Sequence, residues 1–138
     1  MNTNLKNILL AGGVWLSLMI AGRPALAMDR WAALSLLESG NNDAAIGHAG
    51  EVSRFQIKPM LWEKYGGEYP ATARFNPQMA LRVAQAIMDD RCAAFERHFH
   101  RHPTNFEYYI LWNAPAQIRK PARVVAARAN RFCNLVAS

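Results

Sequence analysis

The chain predicts an all-α fold, and three observations carry that expectation. Apolar residues recur at three- and four-residue spacing in several segments, residues that cap helices stand at the starts of those segments, and no stretch of useful length alternates apolar with polar residues. No internal repeat and no low-complexity run interrupts the pattern. The expected architecture is a small helical domain of about five helices around a long central one.

The elements follow in order. Asp29 can cap a first helix whose buried face takes Trp31, Leu34 and Leu37 or Leu36, and which stops near Ser39-Gly40-Asn41-Asn42. Residues 40–52 are rich in Gly, Asn and Ala, which predicts a turn or a short irregular ribbon. Ser53-Arg54-Phe55-Gln56-Ile57 follows. Pro59 then opens a second helix through Leu61, Trp62 and Tyr65, ended by Gly66-Gly67, with core burial expected for Trp62. Asn76-Pro77 pairs a capping side chain with proline at the first helical position. From there Met79, Val83, Ala84, Ile87, Met88, Cys92, Phe95 and Phe99 form one apolar stripe to about His100, and Pro103 closes it. Thr104-Asn105-Phe106-Glu107 has capping-box spacing and starts a fourth helix to about Trp112. After a loop with Pro115 and Pro121, a last helix from about Ala122 to Val136 buries Val125, Ala129, Phe132 or Cys133, and Val136.

Residues 1–27 read as an export signal: Lys6 supplies the basic start, Ile8 to Ile20 an apolar run, and Arg23-Pro24-Ala25-Leu26-Ala27 a small-x-small site with cleavage after Ala27. The apolar run is shorter than the roughly 20 residues that span hydrocarbon, so a stable membrane anchor is not expected. Residues 28–138 then form one domain with one modest core. Loss of Lys6 and Arg23 with the leader takes the formal net charge from +6 to +4. The arginines are spread from Arg74 to Arg131 and are not gathered in a stripe, which speaks against nucleic acid and for a generally basic surface suited to an anionic polymer outside the cytoplasm. Cys92 and Cys133, an even pair in an exported domain, are expected to form a disulfide worth roughly 3 to 4 kcal/mol in the chain-entropy account.

Glu38 is the carboxylate that stands out. A glutamate at a helix C-terminus faces the negative end of the macrodipole and carbonyls without partners, and both disfavour its ionised form. With Trp31, Leu34 and Leu37 just upstream to exclude water, it has what keeps a carboxylic acid protonated near neutral pH. The histidines His98, His100 and His102 invite a metal reading. Their place in the last turn of a helix favours a solvated, dipole-complementing role instead, and no cofactor or metal is expected.

An apolar helix ending in Glu38-Ser39, then Ser53-Arg54-Phe55-Gln56-Ile57, then Asn76-Pro77 opening a long helix, then Leu111-Trp112-Asn113-Ala114 is an order that resembles the lysozyme-like lytic transglycosylases. In that family a Glu-Ser pair ends a helix, a Gly-Leu-Met-Gln-Ile segment and an Asn-Pro helix follow, and Ala-Tyr-Asn-Ala-Gly precedes the last helix. The resemblance covers nearly all of residues 28–138. It implies Glu38 as the catalytic acid and Ser39, Ser53, Gln56, Trp112 and Asn113 as substrate contacts. Trp112 lacks the family's tyrosine hydroxyl, for which Tyr108 or Tyr109 would substitute. Ser53-Arg54-Phe55 replaces Gly-Leu-Met and Pro115 replaces glycine, so Arg54 in an otherwise apolar groove would alter which saccharide is gripped.

The function this implies is cleavage of the MurNAc-GlcNAc bond of peptidoglycan with formation of 1,6-anhydro-MurNAc, one glutamate acting as acid and then as base. A lysozyme-type hydrolase is the close alternative, with Glu51 or Asp43 as a second carboxylate that activates water. A non-catalytic glycan-binding or scaffold domain is another. Glycan strands are the expected partner, together with a secretion, conjugation or pilus machine of the cell envelope, in the periplasm or outside the cell.

Overall fold

The computed structural model describes residues 27–137, which form five α-helices: α1 (Arg30–Ser39), α2 (Pro59–Gly66), α3 (Pro77–Phe99), α4 (Asn105–Asn113) and α5 (Arg123–Ala137). This is the all-α class that the periodicity predicts. The export-signal reading falls on residues outside those described, Ala27 excepted. No helix among the described residues is long and apolar enough to cross a membrane.

The helix ends are set by the residues that predict them. The Asp29 carboxylate accepts from the backbone N–H of Trp31 and Ala32 at 2.8 and 3.0 Å, and the Asn76 side chain accepts from Gln78 and Met79 at 3.0 and 3.1 Å ahead of Pro77. Each satisfies N–H groups that the first turn leaves open. Thr104 and Glu107 close a reciprocal capping box at the start of α4. Gly40 ends α1 in the left-handed region at φ +67, returning its N–H to Leu36 O while Asn41 donates to Ser35 O. Two short 3-10 turns, Ala71–Phe75 and Pro115–Gln117, were beyond periodicity because a single turn carries no repeat to detect. Residues 40–57 form an irregular ribbon with single antiparallel bridges at Ile46–Val52 and Val52–Ile57.

α3 is the longest helix, and α2, the Ala71–Phe75 turn and α4 pack on it. The most thoroughly buried element is the shorter α4, in which Tyr108, Tyr109, Ile110, Leu111 and Trp112 are all buried in succession. A helix apolar on every side has to be surrounded, and α5 and α3 do so. Tyr108 stacks on Phe132 of α5 with ring centres 6.0 Å apart, and Tyr109 meets the same ring at 5.7 Å. α1 packs on α5, and Trp31 bridges to Tyr108 at 6.2 Å and to Phe55 at 5.9 Å, so the ribbon is tied into the same core. Trp62 and Leu34 are buried, as expected, and of the two alternatives Leu37 packs on the core while Leu36 faces outward.

The expected disulfide is not present. Cys92 and Cys133 are free thiols, each half-buried. Cys92 rides on α3 and Cys133 on α5, two helices that each pack on α4. Burial pushes both thiols above the ordinary range, which leaves them protonated.

Candidate active site

The last turn of α1, the ribbon, the approach to α2 and the C-terminal end of α4 enclose an open cleft of about 440 Å³, and α5 contributes Arg128 to it. Glu38, Gln56, Trp112 and Asn113 line it together, as does Glu51. These residues are up to 75 positions apart in the chain and share no local pattern.

Glu38 is anchored on one oxygen. Its Oε1 accepts from the Tyr109 hydroxyl at 2.9 Å and from Arg128 Nη2 at 3.2 Å, and Arg128 Nη2 also donates to Leu37 O at 3.1 Å. The side chain is only 8 % exposed, against 38 % for Arg128. Burial raises the carboxyl's pKa above the ordinary value, with Arg128 and then the Tyr109 hydroxyl pulling the other way. Burial is the largest influence, so the direction expected from the sequence holds although the groups around the acid differ. Trp31 and Leu34 belong to the core behind it, and the apolar lining of the cleft comes from Ile57, Leu61 and Trp112. Tyr109 is held well above its usual range by burial and stays a neutral donor. Because both partners of Oε1 donate, the proton of the neutral acid belongs on Oε2.

The ribbon positions Gln56 and Glu51. Val52 and Ile57 exchange N–H···O bonds at 2.9 Å, and Ser53 (φ +70) and Gln56 (φ +51) take left-handed backbone to close the bend between them. Gln56 Nε2 donates to Ser53 O at 3.1 Å, while its Oε1 and Glu51 Oε2 press on Gly47. A Cβ at Gly47 would stand 2.7 Å and 2.3 Å from those two oxygens, so the ends of both side chains would have to move to admit one. Glu51 Oε2 also accepts from Ala49 N–H at 3.0 Å. On the opposite wall, Arg91 Nη1 donates to Leu111 O and Trp112 O at 2.7 and 2.8 Å, satisfying carbonyls at the end of α4 and holding Trp112 and Asn113 in place.

Several expected contacts are corrected. Ser39 does not line the cleft: its hydroxyl donates to Arg54 O at 2.8 Å and accepts from Asn42 N–H at 3.0 Å, pinning the ribbon to the end of α1. Ser53 is fully buried and serves the bend. Tyr108 faces away, packed between Phe132 and the Arg30 guanidinium, and the hydroxyl that reaches the acid is that of Tyr109. Arg54 turns from the cleft to hold both oxygens of Asp43 at 2.5 and 2.7 Å, which lowers the Asp43 pKa, and neither residue lines the cleft where a second carboxylate would act. Phe55 is a core residue between Trp31 and Trp112.

Arg128 was missed. The signal for it is its register, since it falls between Val125, Ala129 and Phe132 on the buried stripe of α5, where a charged residue calls for a partner. His102 pairs with Glu96 at 2.6 Å and His98 lies against Arg119, both away from the cleft. Among the described residues no cluster of potential metal ligands occurs. Comparison with family models, curated proteins and solved structures finds no match.

Proposed function

We propose that the protein is an exported peptidoglycan lytic transglycosylase that cleaves the MurNAc-GlcNAc bond with Glu38 as general acid and then general base. The observation that carries this reading is a single, nearly buried carboxyl in an open cleft, fixed through one oxygen and driven toward its neutral form by burial. Glu38 Oε2–H gives its proton to the glycosidic oxygen as that bond breaks and positive charge develops on the muramic ring. The substrate's N-acetyl group stabilises the cation. The Glu38 carboxylate then takes the proton of the sugar's 6-hydroxyl, whose oxygen closes onto C1 to give the 1,6-anhydro ring. Glu38 ends as it began, and water does not enter.

The neighbours suit this cycle. The Tyr109 hydroxyl and Arg128 guanidinium both bond to Oε1 and favour the carboxylate that forms between the two steps. Gln56 and Asn113 line the cleft, and Trp112, a largely buried core residue, forms part of its wall. The motif departures are also physically reasonable. Ser53 stands where the resembled motif has glycine and adopts the left-handed backbone that a glycine would supply. Tyr109, one turn before Trp112, supplies a hydroxyl at the acid. Export to the cell envelope and service to a secretion, conjugation or pilus machine belong to the same proposal.

A lysozyme-type hydrolase is favoured by one observation, the presence of Glu51 in the same cleft. Digestion of purified peptidoglycan by the protein and by Glu38→Gln, read by mass spectrometry of the released muropeptides, separates the readings. Anhydro ends are expected, with release reduced at least about a hundredfold in Glu38→Gln. Reducing ends would show a hydrolase. Binding to glycan without release would show a non-catalytic domain, and a fully active Glu38→Gln would refute the assignment of the acid.

A further inference from the structure

We propose that Arg128 is a positioning residue for Glu38, holding its carboxyl in one orientation and supplying the counter-charge that the carboxylate needs between giving up a proton and recovering one. The inference rests on the reading of Glu38 as the acid and base of the cleft. It concerns a contact that no local motif encodes, since the two residues lie 90 positions apart.

The geometry is a two-point clamp. One nitrogen, Nη2, donates both to the Leu37 carbonyl and to Glu38 Oε1, so the guanidinium is registered on the backbone of the residue preceding the acid as well as on the acid itself. The Leu37 bond occupies a carbonyl of the last turn of α1, which has no helical partner. Behind it, Val125, Ala129 and Phe132 bury the face of α5 next to Arg128, and its guanidinium carbon lies 5.9 Å from the centre of the Tyr109 ring. Two bonds from one nitrogen and the contact with the Tyr109 ring thus hold the cation beside the acid.

The exposures of the pair are unequal, and that asymmetry matters. Glu38 is nearly sealed while Arg128 keeps contact with the cleft, so the protein avoids the full cost of burying two charges. When Glu38 is neutral, Arg128 is still hydrated. When Glu38 is ionised, the same guanidinium neutralises it at hydrogen-bond distance. The other titratable groups that line the cleft are Glu51 and His48 of the ribbon, Lys58 ahead of α2 and Arg91 of α3, and none of them bonds to Glu38. Of the groups that do, Tyr109 remains a neutral phenol, which leaves Arg128 as the one full charge in contact among the described residues. Its pull opposes burial, and so keeps the proton transferable.

A clamp that merely fastens α5 to α1 would show the same contacts, so the test must read the proton. In the full chain, the Glu38 side-chain carboxyl is followed by carbon-13 NMR across pH in the parent, Arg128→Gln, Arg128→Met and Arg128→Lys, with Glu38→Gln assigning the resonance. The expected result is an upward move of the Glu38 titration in the two neutral variants and near-parental behaviour in Arg128→Lys. Peptidoglycan release should fall roughly tenfold at its plateau in the neutral variants, with the alkaline limb displaced upward in step. Arg128→Met retains an apolar stem against Tyr109 and serves if Arg128→Gln does not fold. An unmoved Glu38 titration in a folded neutral variant overturns the inference. A parent that cleaves no peptidoglycan overturns the proposed function alone, because the titration still decides the role of Arg128.

Discussion

Glu38 occupies a position where each protonation state is penalised by a different neighbour. Burial disfavours the carboxylate, and Arg128 and Tyr109 disfavour its loss, with burial the stronger influence. The sign of the consequence for stability follows directly. A carboxyl whose pKa is higher in the folded chain than in the unfolded one stabilises the fold below the ordinary carboxylate value, roughly 4.3, and that contribution is lost as pH rises through the folded value. Glu38→Gln imitates the neutral acid at every pH. It should therefore be more stable than the parent near neutral pH, with the two denaturation curves converging below about pH 4, even as the same substitution removes activity. Urea titrations at the two pH values check this, and a parent that is the more stable at neutral pH would contradict it. Glu38 could be picked out in the sequence because glutamate is out of place at a helix C-terminus. For Arg128 the register on α5 marks a charge in need of a partner, but which partner it finds is a distance that only packing of α5 on α1 creates.

At the scale of elements, the ribbon and α4 do the positioning. Gly47→Ala would drive a Cβ into Glu51 Oε2 and Gln56 Oε1, and both belong to the cleft wall. Displacing those two side-chain ends should lower peptidoglycan release several-fold at a stability cost of about 1 kcal/mol or less, read by digestion assay and denaturation. The cost is steric and local, so Gly47→Ala should leave the helical far-UV signal intact. α4 depends on its capping box. The Glu107 carboxyl is held down at about 2, first by Arg101, whose guanidinium meets both its oxygens at 2.8 and 2.6 Å, and then by Thr104. A depressed carboxyl stabilises the fold above the ordinary value of roughly 4.3, and the benefit fades as pH falls toward 2. Thr104→Ala should cost about 1 kcal/mol at neutral pH, and Glu107→Gln should be destabilising at pH 7 with a smaller penalty at pH 2.5. The cap was readable from four consecutive residues; the Arg101 contribution was not, since it comes from the turn that links α3 to α4.

For the whole molecule, the free thiols decide how the core is held. With Cys92 and Cys133 unpaired, cohesion comes from the aromatic packing of α4 between α5 and α3, in which Tyr109 and Phe132 are completely covered. A thiol assay on the denatured chain should count two thiols, and added reductant should leave the thermal midpoint unchanged. One thiol pair recovered as a disulfide, or a midpoint that drops by several degrees on reduction, would restore the cross-link that the two cysteines and the export reading together suggest. Parity and compartment make a bridge chemically reasonable, but they carry no information on which helices become neighbours.

The sequence by itself determined the helices and their ends, because caps, prolines, glycines and three-to-four periodicity act within a few residues of one another. It also set apart Glu38, Gln56, Trp112 and Asn113, which meet in one cleft. Only the tertiary structure decided which side chains face that cleft: Tyr109 and not Tyr108, Arg128 from a helix 90 positions away, Arg54 turned outward to Asp43, and Ser39 and Ser53 spent on the ribbon. The physical reason is that helix formation is a local balance of backbone bonds and spacing, whereas the orientation of a side chain in a bend and the partner of a buried charge depend on how separate elements pack.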